Sequence, residues 1–525
     1  MPYADSAETA SRWATERAIN VWTVFSGDLP APAIEALAAG FQDIRADGAR
    51  LALIVPPGEV PTASERALAD LVVDGPAMPS PFGLFAALRA AGCDDVRRLG
   101  ILGASTAALD AGHRAGATAV VGIAAGERRT LLAAQPDVIV TATDFATLDR
   151  DRYASARAHR ERVLLNPGPA VVSDRVHRAV GGPDVCHREP EYTAIFQRVR
   201  HKLLRLAGVA DDWAVAMLAG SGTAAMEAMT GAATRPGRKL LVCRNGIYGE
   251  RIETIARRLG IEVVVVAASD LQPIAPGDVA AALAADPTID AVAVIHHETT
   301  TGLLNPVHEI AAVAHGHGAL VLVDAISSFG AEELRLDGTG IDFVASTSNK
   351  CLHGLPGVAF VLVSPRGQAR IEEVPPRSLY FDLGAYLKAQ ATGTVPFTPA
   401  IPAVYGLEAA LDELLDEGLK ERQAFYQARM AFLDAAFTRL GLEPRVAAPH
   451  RSHSVHSLPL PDGVVYRDLH DALKADGYVI YGGLGEAAKT SFRVCALGAL
   501  GIGALEGFVA ALEDVLSRRV ALTSA

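Results

Sequence analysis

Two short strand patterns that are each followed by a reactive side chain constrain the fold of this chain more than any other feature. Residues 319–323 are continuously apolar, as in a strand buried on both faces, and Asp324 follows at the end of the run. A second short run, 343–347, is followed shortly by Lys350. The pattern predicts an α/β fold in which an acid and a lysine stand on neighbouring strand ends.

An acid and a lysine in this relation are what a pyridoxal phosphate enzyme needs. The lysine would hold the cofactor covalently, and the carboxylate would keep the pyridine nitrogen protonated so that the ring accepts electrons. Alone, the pattern is weak, because most lysines lie on the surface and Ser-x-x-Lys occurs widely. An exposed loop lysine is therefore the alternative that other segments must exclude.

Three further segments add to the pattern. Ser221, Gly222 and Thr223 lie between an apolar strand and a helical pattern, where free N–H groups form an anion cradle suited to a phosphate. An ordinary capped helix is the alternative for this turn, because Ser and Thr are common caps. Residues 296–306 crowd polar groups onto the end of another strand, and Arg493 could hold a carboxylate through a bidentate guanidinium.

Together these segments resemble the class V aminotransferases, which are pyridoxal phosphate enzymes of the aspartate aminotransferase fold type I. Within that family, the order and spacing of the motifs are similar to those of the 2-aminoethylphosphonate–pyruvate aminotransferases, from about residue 160 to the C-terminus. Several motifs in one order are more specific than any single one. The motifs are residues 165–169, 184–189, 245–251, 296–306, 323–330, 348–354 and 397–399.

The resemblance implies a fold and a set of cofactor contacts. The fold would be a large doubly wound domain at about residues 175–405, followed by a small α+β domain at about 406–525. Lys350 would bind the cofactor and carry the proton, and Asp324 would face the pyridine nitrogen. The further cofactor contacts that the family pattern implies are Ser221, Gly222 and Thr223 at the phosphate, Thr300 at the ring oxygen, Tyr248 near the ring and Thr398 from the opposite subunit of a homodimer. For Tyr248, a packed core tyrosine is an equal alternative.

The resemblance also implies substrate contacts. Arg493 would hold the carboxylate of the keto acid or amino acid, and Arg188 is a candidate for binding a phosphonate, with an exposed ion pair to Glu189 as the alternative. His297 departs from the family pattern, as do Ile247 and residues 495–497. No metal is expected.

The expected reaction is transamination between 2-aminoethylphosphonate and pyruvate, giving phosphonoacetaldehyde and alanine, or the reverse. The alternative is a class V enzyme of the alanine–glyoxylate or serine–glyoxylate type, which uses no phosphonate. A cysteine desulfurase is disfavoured, because Cys495 lies in an apolar strand rather than on a mobile loop. A non-catalytic scaffold would be favoured only by the loss of Lys350.

Composition excludes several other classes. The 525 residues exceed what one core usually supports, so at least two domains are expected. A net charge of −12 argues against nucleic acid or an anionic membrane as the main partner. The sequence has neither a membrane-spanning run nor a signal peptide, so we expect a cytoplasmic protein. The five cysteines are scattered and indicate neither disulfides nor zinc.

Residues 1–155 are predicted to form a separate small domain, with the aminotransferase at 156–525 after a charge-rich connection at 149–162. Alternating strands and helices predict a small parallel sheet with helices on both faces. The predicted strands are 50–55, 98–102, 119–123 and 138–140, and the predicted helices are 32–46, 63–71, 82–91, 107–115 and 127–134.

Residues 78–82 and 99–117 resemble the back half of a haloacid dehalogenase-type hydrolase of the phosphonoacetaldehyde hydrolase-like branch. Such chemistry needs an Asp nucleophile after the first strand, a hydroxyl after the second, a lysine and magnesium-binding acids. Here no Asp-x-Asp or Asp-x-Ala-Gly-Thr turn appears near the start, Pro56 follows the second strand, and Ala104 stands at the acid position. The block is therefore predicted to be a degenerate, non-catalytic dehalogenase-like domain.

Overall fold

The computed structural model describes residues 21–35, 37–38, 50–93, 99–115, 117, 119–123, 138–140 and 162–523. The chain divides into two compact units, Met1–Glu161 and Arg162–Ala525. The predicted boundary near residue 155 lies outside the described residues, as does the predicted helix at 127–134, and both stay predictions.

The first unit contains a six-stranded parallel sheet. Its strands are β1 (Val21–Phe25), β2 (Arg50–Val55), β3 (Leu71–Asp74), β4 (Leu99–Gly103), β5 (Ala119–Ile123) and β6 (Val138–Val140), in the order β3-β2-β1-β4-β5-β6. The helices α1 (Ala63–Leu68), α2 (Phe82–Ala90) and α3 (Thr106–Ala115) alternate with them. Two apolar clusters lie on opposite faces of this sheet, so the predicted doubly covered parallel sheet is present.

Two strands of this sheet were not predicted from sequence. The sequence reasoning assigned no strand to β1, and it ended the preceding helix at Leu71, which is the first residue of β3. β1 ends at Phe25, and Asp28 follows it in a turn, so an acid does stand after the first strand, although no Asp-x-Asp or Asp-x-Ala-Gly-Thr pattern surrounds it. Asp28 Oδ2 accepts the N–H of Ala104 at 2.7 Å, which brings the ends of β1 and β4 together.

The second unit is built on a seven-stranded mixed sheet. Its strands are β8 (Ala214–Gly220), β9 (Lys239–Arg244), β10 (Glu262–Ala267), β11 (Ile289–Ile295), β14 (Leu320–Asp324), β15 (Phe343–Thr347) and β16 (Gly357–Val363). The order is β10-β9-β11-β14-β15-β16-β8, in which β16 is antiparallel to both of its neighbours. β11, β14 and β15 are buried along their whole length, which explains why their sequences are mostly apolar.

Helices cover both faces of this sheet, as expected for a large doubly wound domain. One core cluster packs under α5, α8, α9 and α12, and the other packs under α6, α7 and α11. The helices are α4 (Asp174–Val180), α5 (Pro190–Ala207), α6 (Gly222–Ala233), α7 (Ile247–Arg258), α8 (Pro276–Ala285), α9 (Val307–Gly316), α10 (Pro365–Glu373), α11 (Leu383–Ala391) and α12 (Ile401–Glu417).

A smaller α+β portion follows. It contains the antiparallel sheet of β17 (Val455–Pro459), β20 (Ser491–Cys495) and β19 (Tyr481–Gly482), with α13 (Leu419–Arg439), α14 (Tyr466–Ala475) and α15 (Ile502–Thr523). Two helices, α12 and α13, follow each other closely at the start of this portion. They separate at Gly418, whose φ of +98° a side chain would disfavour.

Two short strand pairs complete the described part of this unit. β12 (His297–Glu298) and β13 (Leu303–Leu304) form a hairpin directly after β11. β7 (Val163–Leu164) pairs with β18 (Tyr478–Val479), so the first described residues of the unit lie with the small domain. Within the described ranges, no helix has both the length and the apolar character needed to cross a membrane.

Candidate active site

The sheet brings Asp324 to the same edge as the polar hairpin and the segment of Lys350. Asp324 pairs in register with Ile295 on one side and Ala345 on the other, at the ends of three parallel strands. Its Oδ1 accepts the N–H of Ile326 at 2.9 Å, and the side chain is buried. Burial raises the pKa of this carboxyl to about 7. A cationic partner at this point would therefore be strongly favoured.

Lys350 lies in the turn after β15, partly buried. Its Nζ donates a hydrogen bond to the carbonyl of Pro167, and burial lowers the pKa of the amine. A Cβ added at Gly168 would stand 2.7 Å from Nζ, so only glycine leaves room for this contact. The alternative of an exposed loop lysine does not describe this position, and an amine with a lowered pKa can act as a base.

The turn of Ser221, Gly222 and Thr223 forms the start of α6. Ser221 is the N-cap residue, yet its hydroxyl makes no capping hydrogen bond, which is unlike the ordinary capped helix considered from sequence. A Cβ at Gly222 would meet Ile326 at 2.6 Å, so the backbone of this turn lies close to the segment after Asp324. The N–H groups at the helix start and two hydroxyls can therefore hold a phosphate at this edge.

Arg251 is a cation at this cradle that the sequence reasoning missed. Its Nη1 donates to Thr223 Oγ1 at 3.4 Å, and its guanidinium lies 4.6 Å from the centre of the Tyr248 ring. Arg251 makes no ion pair among the residues that the structure describes. The motif 245–251 could have indicated Arg251, because Tyr248 and Arg251 are three residues apart and therefore lie one turn apart on α7.

Thr300 is buried in the β12–β13 loop. Its hydroxyl and its N–H both bond to Glu298 Oε1, the latter at 3.2 Å. Glu298 is a second buried acid that the sequence reasoning did not single out. The predicted contact of Thr300 with a cofactor ring is not tested by these bonds and stays a prediction.

Arg493 brings the small domain into the same site. It lies on β20 with 2% of its surface exposed, and Nε and Nη1 donate to the carbonyls of Gly482 at 3.0 Å and Thr299 at 3.2 Å. No carboxylate pairs with this guanidinium anywhere in the described ranges. A buried cation held only by carbonyls is suited to binding an anionic ligand.

Two predicted residues make no recorded contact with this group. Thr398 lines a separate cleft with Ala219 and Tyr380, as would be needed if it served another subunit. Arg188 is exposed in the turn before α5, and within the described chain it forms no ion pair with Glu189. Both roles stay predictions.

Among the residues that depart from the family pattern, His297 and residues 495–497 are buried, whereas Ile247 is half-buried. His297 Nδ1 lies 2.9 Å from the carbonyl of Ser327. Burial raises the pKa of the Cys495 thiol to about 12, so this cysteine is not a reactive nucleophile. Among the described residues, no cluster of three or more His, Cys, Asp or Glu could hold a metal ion.

These groups fit pyridoxal phosphate. Asp324 can face its pyridine nitrogen, Lys350 can bind its aldehyde, and the α6 turn with Arg251 can hold its phosphate. The fit rests on an acid, a lysine and an anion cradle at one edge of one sheet.

Known proteins with this sequence pattern are aminotransferases. Residues 172–498 match the family model for aminotransferase class-V. A relative from Burkholderia thailandensis named 2-aminoethylphosphonate–pyruvate transaminase is 37% identical over 365 residues, which is 68% of this chain and 97% of the relative. A relative of the same name from Vibrio vulnificus is 36% identical, over 69% of this chain and 99% of its own.

Solved structures agree with the sequence matches. An aspartate aminotransferase from Thermus thermophilus has a TM-score of 0.62 and 32% identity, covering 67% of this chain and 99% of its own. An alanine–glyoxylate aminotransferase from Nostoc has a TM-score of 0.65 and 27% identity, covering 68% of this chain and 95% of its own. The chain therefore belongs to the class V aminotransferases, which are pyridoxal phosphate enzymes of fold type I.

Proposed function

We propose that this enzyme transfers an amino group between 2-aminoethylphosphonate and pyruvate, giving phosphonoacetaldehyde and alanine, or runs in reverse. The relatives that share two thirds of the chain carry that activity in their names. The observation that carries the proposal is Arg493, a buried guanidinium whose described neighbours include no carboxylate. It offers the keto acid a fixed, positively charged contact.

The side chains around this contact support the chemistry of transamination. Pyridoxal phosphate, when bound, accepts electrons from the carbon that bears the amino group. Lys350, with its lowered pKa, can remove a proton from that carbon and return it elsewhere. Asp324 can hold a protonated ring nitrogen, and Arg493 fixes the carboxylate of pyruvate or alanine.

The phosphonate end is assigned to Arg188. Its guanidinium is exposed and forms no ion pair among the described residues, so it is available to a phosphonate dianion. Replacing Arg188 by Ala should raise the KM for 2-aminoethylphosphonate and leave the KM for pyruvate unchanged. An equal effect on both substrates would remove Arg188 from the phosphonate site.

We also propose a homodimer in which Thr398 completes the partner's phosphate site. Thr398 lies next to Phe397, whose ring stacks on Tyr380 at 4.8 Å, and Leu379 nearby is 85% exposed. An exposed apolar side chain beside an aromatic stack is typical of an interface. Light scattering of the active enzyme should give a dimer. A fully active monomer would exclude a shared site.

An enzyme of the alanine–glyoxylate or serine–glyoxylate type is the second candidate. Structural neighbours with a TM-score of 0.65 include proteins named for glyoxylate. The two functions separate by amino-donor profiling of the purified protein with added pyridoxal phosphate. Wild type should use 2-aminoethylphosphonate with pyruvate far better than alanine or serine with glyoxylate. The opposite ranking would replace the proposed substrate.

For the first unit we propose a dehalogenase-like fold without catalysis, with the boundary near residue 155. One carboxylate oxygen of Asp28, the acid after β1, accepts the N–H of Ala104. The Glu65 carboxylate accepts the N–H groups of Gly27 and Thr62. Within the described residues, neither acid belongs to a group of three or more His, Cys, Asp or Glu side chains that could hold a metal ion. Hydrolysis of this type needs such a metal to neutralise the transition state.

Two measurements test this assignment. Residues 1–155, expressed alone, should release no phosphate from phosphonoacetaldehyde or from phosphate esters in the presence of magnesium. A truncated chain starting near Arg160 should keep the transaminase activity. Metal-dependent hydrolysis by the first fragment would make the chain a bifunctional enzyme.

The cytoplasm is the proposed location. The described chain has no membrane-spanning helix, and all five cysteines are free thiols, as in a reducing compartment. A protein recovered with these cysteines in disulfides would contradict this location.

A further inference from the structure

A buried carboxylate links two of the proposed cofactor contacts. Glu298 has no exposed surface, and its Oε2 accepts the N–H of Tyr248 at 3.2 Å while its Oε1 accepts from both groups of Thr300. In sequence, Tyr248 and Glu298 are 50 residues apart. The link therefore joins the start of α7 to the β12–β13 loop.

The local structure is fitted to this carboxylate. The N-cap residue of α7 is Gly246, which has no side chain to cap the helix. Glu298 supplies the missing acceptor at the positive end of the helix. A Cβ at Gly246 would stand 2.3 Å from the Glu298 carboxyl carbon, so any larger residue at position 246 would displace the acid.

Glu298 has no cationic partner among the described residues. A buried carboxylate without an ion pair is costly, and here only N–H groups, one hydroxyl and the helix dipole compensate it. Burial raises the pKa of Glu298, and the charge of Glu298 also acts on neighbouring Asp324. Because burying this carboxylate at the edge of the site destabilises the folded protein, we expect it to have a role in addition to capping α7.

We propose that Glu298 is a positioning residue of the transamination site. It fixes both the position of the Tyr248 backbone and the orientation of the Thr300 hydroxyl. This rests on the proposed cofactor roles of Tyr248 and Thr300. Because the Thr300 hydroxyl gives its single proton to the carboxylate, it could contact the ring oxygen of a bound cofactor only as an acceptor. That arrangement favours a protonated ring oxygen, and the negative charge of Glu298 favours the same protonated form.

The test is the pH midpoint of the absorbance change of the bound cofactor, measured without substrate. Glu298→Gln keeps the side-chain size, removes the charge and turns a donor toward Thr300. The midpoint should fall by on the order of one pH unit. Cofactor dissociation should also become about tenfold to a hundredfold easier, since a misplaced contact loses affinity steeply. An unchanged midpoint would overturn the proposal.

Asp342→Asn is the matched control. Asp342 is equally buried and accepts an N–H from Val321 at 3.0 Å and a hydroxyl from Ser364 at 2.9 Å, but it precedes β15 at the opposite edge of the sheet. This variant should lower the melting temperature and leave the midpoint where it is. A midpoint shift of equal size in Asp342→Asn would mean that the effect of Glu298 is only structural, and would also overturn the proposal.

Thr300→Val keeps the test available if Glu298→Gln does not fold. It removes the hydroxyl through which the carboxylate acts, so it should lower the midpoint too, and in the double variant the two shifts should not add. Full additivity would show that the two residues act separately. Because the readout needs no substrate, inactivity toward 2-aminoethylphosphonate would refute the proposed function and leave this inference standing.

Discussion

The buried carboxyl of Asp324 should make the cofactor-free enzyme less stable as the pH rises. Its pKa is about 7 in the folded protein, compared with an ordinary value of 3.8. At a pH between these two values, Asp324 is therefore protonated in the folded state and ionised in the unfolded state. By linkage, the stability contributed by this group is greatest at low pH and falls until the pH passes the folded pKa.

The size of the effect follows from the two pKa values. Each pKa unit is worth about 1.4 kcal/mol, so full ionisation of Asp324 costs on the order of 4 kcal/mol. Between about pH 5 and pH 8, the loss is roughly 2 to 3 kcal/mol. For a folded unit of this size, that corresponds to a fall of about 3 °C in melting temperature.

The assay compares the cofactor-free wild type with Asp324→Asn in thermal unfolding across this pH range. An amide does not titrate, so the variant should lack the fall that Asp324 causes, while all other groups contribute equally to both proteins. Adding pyridoxal phosphate to the wild type should reduce the fall, because a protonated ring nitrogen would stabilise the carboxylate. Parallel melting curves for the two proteins would refute the raised pKa and the burial argument behind it.

The site predicts three further results. Lys350→Ala should abolish transamination and leave the fold intact, as measured by turnover and circular dichroism, and near wild-type turnover would exclude Lys350 as the cofactor lysine. Arg493→Gln should raise the KM for pyruvate by on the order of a hundredfold, because a charged hydrogen-bond pair is worth about 2 to 3 kcal/mol; an unchanged KM would exclude the carboxylate contact. Gly168→Ala should slow the reaction by roughly tenfold or more, since a methyl group would crowd Nζ of Lys350, and an unaffected rate would show that the loop can move aside.

The strand ends of the large domain could be predicted from sequence because burial on both faces leaves a continuous apolar run. Such runs located Asp324 and the segment of Lys350, and the small-residue turn at Ser221 located the start of α6.

Contacts between distant segments could not be predicted in the same way. Nothing in the local pattern of Glu298 indicates that its carboxylate caps α7, since the acceptor and the helix start are separated by several elements. The bond from Lys350 to Pro167 spans 183 positions and likewise depends on how the small domain returns to the sheet. Tertiary packing decides such contacts, and a period of two or 3.6 residues carries no information about them.

The pairing of β7 with β18 connects Lys350, the proposed cofactor lysine, to the small domain. Leu165 is held by hydrogen bonds to Val479 and Cys495, and only two residues later Pro167 meets the amine of Lys350. Arg493, which lies on β20 two residues before Cys495, is the proposed carboxylate contact. A rotation of the small domain that moved Arg493 toward a bound carboxylate would also move Leu165. Because Pro167 is only two residues from Leu165, its carbonyl, which accepts the hydrogen bond of Lys350, would shift in the same movement. Binding of the substrate carboxylate and release of the Lys350 amine from Pro167 would then be coupled to the same rotation.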